Sequence, residues 1–210
     1  MKSVLTQALL VLGITFSSFA LAIEKPEYEV ILVDGDIEYR RYESFIVAET
    51  NIVGAESWKE ASNEGFRRLF DYITGDNSGD QKIAMTAPVQ QSKLQAEELR
   101  FSQAEALADG AGWRVGFMLP SRYSMVDAPV PEDDRIELRV VPEKLVAAIR
   151  YSGRWTTRNF DKYESRLMTK LTAANIEILG VPETAFYNPP FVPPFMRRNE
   201  ILIEVASPPI

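Results

Sequence analysis

Ile37-Glu-Tyr-Arg-Arg-Tyr42 is answered ~100 residues later by Ile136-Glu-Leu-Arg-Val-Val141, and Phe45-Ile-Val-Ala48 by Leu145-Val-Ala-Ala148. A segment that recurs at one long offset marks a repeated structural unit. Each pair of β-prone segments runs into a stretch with helical periodicity. With Trp58 as origin and about 100° per residue, Ala61, Gly65, Leu69, Tyr72 and Ile73 all fall within about 60° of it. Phe160, Tyr163, Leu167, Leu171 and Ala174 make the same stripe, which aligns Trp58 with Phe160, Gly65 with Leu167 and Leu69 with Leu171. A proline-punctuated extended segment follows each helix, Met85-Thr-Ala-Pro-Val89 and Tyr187-Asn-Pro-Pro-Phe191. Closing strands are expected at Trp113-Arg-Val-Gly-Phe-Met-Leu119 and Glu200-Ile-Leu-Ile-Glu-Val205. The pattern is strand–strand–helix–strand–strand, twice. It predicts a single α+β domain over residues 23–210, built from pseudo-symmetric halves of about 26–120 and 134–206. The linkers, 90–112 with a short helix expected over 96–108, and 120–134, are too short to hold independent cores apart.

Of 210 residues, 46% are hydrophobic and 25% charged, the proportions of a globular chain. A domain near this size buries about 70% of its unfolded surface and holds together without cross-links or metal. Cysteine and histidine are both absent. That excludes zinc fingers, thiol nucleophiles, Ser-His-Asp triads and imidazole bases. No spacing of carboxylates or hydroxyls suggests another catalytic centre, so neither an enzyme nor a metal site is expected. The formal charge of −7 argues against nucleic acid as a partner.

Met1-Lys2, the apolar run Val4 to Phe16 and the small residues Ser17-Ser-Phe-Ala-Leu-Ala22 read as a signal peptide ending in an A-x-A site. Thr6, Gln7 and Thr15 interrupt the run, which is shorter than the ~20 apolar residues that span a bilayer. Cleavage after Ala22, a periplasmic or secreted product and no stable membrane span are the expectations.

Other clusters have plain structural explanations. Gly75-Asp-Asn-Ser-Gly-Asp80 lacks the ligand spacing of a calcium loop and reads as a turn. Asp133-Asp134 and Glu97-Glu98 point to opposite faces if extended and read as solvated surface. Arg67 faces water on the helical wheel, with Arg68 on the flank. Arg197-Arg-Asn-Glu200 forms either a charge network or an anion site. Phe66 and Phe70 lie at the edge of the first helical stripe, with Met168 the mate of Phe66 on the second. Large apolar residues there either pack under a loop or line an open groove. The loop from Asn188 to Met196, with Phe191, Phe195 and Met196 among four prolines, carries enough apolar area to cover the core or a flat ligand.

These segments resemble the SOUL haem-binding protein family. The resemblance rests on Glu24-Lys-Pro-Glu-Tyr28 before Ile37–Tyr42, on Phe66…Leu69…Tyr72-Ile-x-Gly-x-Asn77, and on Lys82-Ile-Ala-Met-Thr-Ala-Pro-Val89. Phe117-x-Leu-Pro120, Tyr187-Asn-Pro-Pro-Phe191 and Arg197-Arg-Asn-Glu-Ile201 complete it, so that it covers about 24–205. It implies a distorted antiparallel β-barrel with two helices and an internal pseudo-twofold. It also implies reversible, non-catalytic binding of haem or another porphyrin in a shallow apolar groove beside the first helix. Phe66, Phe70 and Val89 would form the wall, Met85 and Met168 soft neighbours, and Arg197 or Arg198 partners for the propionates. Two features depart from the family pattern: there is no histidine for the iron, and Asp71 follows Phe70 where some relatives are basic. Weak, non-covalent binding that ignores the metal is the expectation. The alternative is a cell-envelope interaction or stress module that offers the same groove to a peptide or protein partner.

Overall fold

The computed structural model describes residues 23–94 and 112–209. The expected signal peptide, the expected short helix over 96–108 and Glu97-Glu98 lie outside the described residues.

Among the described residues nine strands form one antiparallel sheet, curled into a half-barrel, with two α-helices: the expected α+β class. The strands are β1 (Tyr28–Asp34), β2 (Ile37–Tyr42), β3 (Phe45–Val53), β4 (Val89–Lys93) and β5 (Gly112–Met118), then β6 (Ile136–Val141), β7 (Lys144–Tyr151), β8 (Glu183–Phe186) and β9 (Asn199–Glu204). The helices are α1 (Trp58–Thr74), between β3 and β4, and α2 (Thr157–Ala173), between β7 and β8. The sheet order is β1-β2-β7-β9-β8-β4-β5-β3-β6. From β2 onward it reads the same from both ends when β2 to β5 are exchanged for β6 to β9. That symmetry is one of strand order. β1, which sequence periodicity does not announce, lies outside it and pairs with β2 through a register irregularity between Val30 and Leu32.

Side chains alternate across the sheet. Ile37 and Tyr39, Ala147 and Ile149, and Ile201 and Ile203 face α2 in one core; Ala48, Val115 and Phe117 face α1 in another. α1 buries Ala61, Gly65, Leu69, Tyr72 and Ile73, the whole expected stripe. α2 buries Phe160, Leu167 and Leu171, with Tyr163 packed against them. Ala174 departs from the expected stripe: it is the exposed C-cap, past the last turn that touches the sheet. Hydroxyl caps start both helices, Ser57 accepting from the Glu60 amide at 3.3 Å and Thr156 from the Asn159 amide at 3.3 Å.

The turn after α1 is built on the fully buried Asn77, whose Nδ2 donates to the Tyr72 and Gln81 carbonyls while Oδ1 accepts from the Gln81 amide. The two proline segments sit differently: the first precedes its strand β4, the second follows its strand β8.

Candidate functional site

A cavity of ≈ 370 Å³ opens along the flank of α1. Phe66 and Phe70 form one wall, 39% and 44% exposed, their rings 14° from parallel with centroids 5.8 Å apart. Phe66 also meets the buried Phe117 of β5 edge-on at 5.3 Å. They are one helical turn apart on the same side, which brings the two rings together.

The segment entering β4 supplies the next wall, with Met85, Ala87 and Val89. It is pinned on two sides: Thr86 Oγ1 donates to the Met118 carbonyl at 2.6 Å, and the Ala87 amide donates to the Glu24 carbonyl at 2.8 Å. The third wall is the Pro189-Pro190 turn after β8, together with Tyr187, Phe186 and Trp155. Arg197 fastens this turn. Its Nε donates to the Val192 carbonyl at 2.8 Å, its Nη2 to the Pro190 carbonyl at 2.6 Å, and its guanidinium lies 4.3 Å from the Trp155 ring. Trp155 Nε1 donates to Asn199 Oδ1 at 2.8 Å.

Beneath Tyr187 lies a buried charge network. Arg40 Nη1 and Nη2 donate to Glu200 Oε2 and Oε1 at 2.7 and 3.1 Å, and Arg198 Nε donates to Oε1 at 2.9 Å. Burial alone would raise the Glu200 carboxyl; the Arg40 hydrogen bond and the charges of Arg40 and Arg198 hold it below its ordinary range. The Tyr187 hydroxyl donates to Glu200 Oε2 at 3.0 Å. Burial, then the Glu200 charge, push that phenol far above its ordinary range, so it stays protonated.

The structure thus brings Phe66, Phe70, Met85 and Val89 together around one cavity. Met168 is elsewhere, half-buried against the α2 core. Arg197 and Arg198 are near but committed, the first to loop carbonyls and the second to Glu200, with its guanidinium 4.0 Å from the Tyr187 ring. Of the two readings of Arg197-Arg-Asn-Glu200, the charge network is the one observed. Phe191 and Phe195 of the proline loop are 84% and 77% exposed. The Pro189-Pro190 end of that loop lines the cavity, while Phe191 and Phe195 face outward. Trp58 and Trp155 are walls that the sequence reading missed; the first begins a helix and the second follows β7 in no periodic pattern.

The arrangement suits a flat apolar molecule. A porphyrin's faces fit the aromatic and aliphatic walls. Among the wall residues the one soft donor for an iron is the Met85 thioether, since Tyr187 is protonated and engaged with Glu200.

A family model described as SOUL heme-binding protein matches residues 23–204. Heme-binding protein 1 of Xenopus laevis is 26% identical over 164 residues, which cover 78% of this chain and 80% of that protein. Heme-binding protein 2 of Mus musculus is 25% identical over 205 residues, 94% of each. Among solved structures, the EcmrR C-terminal domain superposes with a TM-score of 0.60 at 10% identity, over 86% of this chain and 99% of that one. A hydrolase from Listeria innocua superposes with a TM-score of 0.51 at 8% identity, over 84% and 94%. At such identities the likeness is one of fold.

Proposed function

The chain belongs to the SOUL heme-binding protein family, and from that premise we propose that it binds a tetrapyrrole reversibly in the cavity beside α1, without catalysis. The observation that carries the reading is the pair of half-exposed, near-parallel rings Phe66 and Phe70 facing Met85, Val89 and Pro190 across ≈ 370 Å³. Burying the ligand's faces against these walls would supply the affinity. A bound haem would bring an iron that takes axial ligands; among the described wall residues the one soft donor is Met85, so the metal would add little. Lys25, with its ammonium 5.9 Å from the Tyr187 ring, is exposed beside a wall residue and could meet a propionate.

Titrating haem and metal-free protoporphyrin IX into the purified protein, followed at the Soret band, tests this. Saturable binding of both with similar affinity is the expected result. If neither binds, the reading fails. If haem alone binds, an iron ligand dominates and the apolar-wall mechanism is wrong.

A second reading has one observation in its favour. Phe191, Phe195 and Met196 extend an exposed apolar surface from the rim at Pro190, as a groove for a peptide would. Cross-linking in the cell envelope that persists in a Phe191→Ser, Phe195→Ser variant would remove that support. Export also remains a proposal: the leader composition supports it, and intact-mass measurement of the periplasmic protein should find Ile23 as the first residue.

A further inference from the structure

The loop after β8 presents Phe191, Phe195 and Met196 to solvent, 84%, 77% and 63% exposed. None of the three lines the α1 cavity, and exposure of that order puts them on a projection of the surface. The backbone that carries them keeps its polar groups to itself. Pro189, Pro190, Pro193 and Pro194 have no N–H to satisfy. The Val192, Met196 and Arg197 amides donate to the Pro189, Pro193 and Pro194 carbonyls at 3.1, 2.9 and 3.2 Å, and the Arg197 guanidinium donates to those of Pro190 and Val192. A segment with so few open hydrogen-bonding groups leaves water at low cost.

Charge narrows what such a loop meets. The chain carries −7 overall, yet residues 152–160 and 187–199 hold four arginines and no carboxylate. The two segments form one surface: the Gly153 amide donates to the Pro194 carbonyl at 2.9 Å, and the Arg197 guanidinium lies against the Trp155 ring. Arg198 is neutralised by Glu200. Arg154 and Arg158 are exposed, and Arg197 bonds uncharged carbonyls, so three positive charges remain on these segments. Apolar tips accompanied by cations match a bilayer interface, where acyl chains lie beneath anionic headgroups. A peptide strand would need open backbone donors and acceptors, which this loop has largely used.

We propose that this loop docks the protein on a lipid bilayer that carries anionic headgroups, with Phe191, Phe195 and Met196 entering the interface and Arg154 and Arg158 meeting lipid phosphates. Docking needs none of the proposed porphyrin contacts, so either function could fail alone.

Co-sedimentation with vesicles of phosphatidylglycerol and phosphatidylcholine, and with vesicles of phosphatidylcholine alone, tests this on protein purified after expression of the full chain. Wild type and variants share one N-terminus, so a difference between them reports the loop. Binding should require phosphatidylglycerol and weaken with salt. Phe191→Ser with Phe195→Ser should weaken it about tenfold or more. Arg154→Gln with Arg158→Gln should weaken it about fivefold for each arginine removed. Because the chain has no cysteine, an environment-sensitive dye on Phe195→Cys reads insertion directly. Its emission should move to the blue on anionic vesicles, while the same dye on Val126→Cys, in the connection from β5 to β6, stays where it was. Docking is overturned if anionic vesicles are not bound, which would leave the surface to a peptide partner, or if phosphatidylcholine alone is bound as tightly. It is equally overturned if the serine or the glutamine variant keeps full binding, or if the Phe195 label fails to move or the Val126 label moves with it.

Discussion

α1 and α2 are the same length, carry the same kind of apolar stripe and start with the same kind of hydroxyl cap, yet they meet the sheet differently. α1 comes down on Gly65, where a Cβ would stand 2.5 Å from Val115 Cγ2. α2 has Leu167 at the aligned place, fully buried against its core. The flanks differ in turn. On α2, Tyr163 stacks on Tyr151 at 4.2 Å and Met168 packs inward. On α1, Phe66 and Phe70 remain half-open beside a cavity. Stripes fix both helices to the sheet; the difference in flank chemistry is what leaves one helix with an open apolar flank beside a cavity.

Replacing the standoff of α2 should have the largest effect. Leu167→Ala should destabilise the fold by about 2–5 kcal/mol in chemical denaturation, the range for a buried leucine; a loss below about 1 kcal/mol would mean α2 does not rest on it. The mirror substitution sharpens the contrast by its sign. Alanine at an open helical glycine stabilises by up to about 1 kcal/mol, but Gly65→Ala should cost about 1–3 kcal/mol because Val115 must move. A stabilised variant would show that α1 has room to rise. The flanks come next: Phe66→Ala with Phe70→Ala should weaken porphyrin binding about tenfold or more, about 1.4 kcal/mol, while Met168→Ala leaves it unchanged. Equal losses would erase the distinction between the helices. The smallest effects should be equal in the two halves. Ser57→Ala and Thr156→Ala should each cost about 1 kcal/mol, and a large disparity would show that the caps do not play matched roles.

Much of this arrangement was legible in the chain. The α1 stripe could be read in full, because a helix on a sheet obeys one local period. The same wheel put Phe66 and Phe70 at the stripe's edge but left packing and an open groove as alternatives, and the structure leaves both rings half-open. Four of the residues that the family resemblance implied, Phe66, Phe70, Met85 and Val89, line one cavity: two lie on the helix and two on the proline-punctuated entry to β4. Trp155 could not be foreseen, since a loop residue has no period and its place depends on Arg197 and Asn199 from far along the chain. Nor could the role of Arg198. A charge network and an anion site were both open for it, and the order β2-β7-β9, which brings Arg40 and Glu200 together across 160 residues, decides between them. The strand β1 escaped because its residues are mostly exposed and carry little alternation.

The buried Arg40–Glu200 pair ties folding to proton activity. The carboxyl's value in the fold lies below the 4.5 that it has ordinarily, so in acid the unfolded chain binds more protons than the folded one. The stabilisation from this group is complete above about pH 4.5 and drains away as the pH falls through the lower, folded value. Because the same carboxylate accepts from the Tyr187 hydroxyl, acidification would loosen a wall of the α1 cavity along with the core. Ligand release and acid unfolding would then share one titrating group.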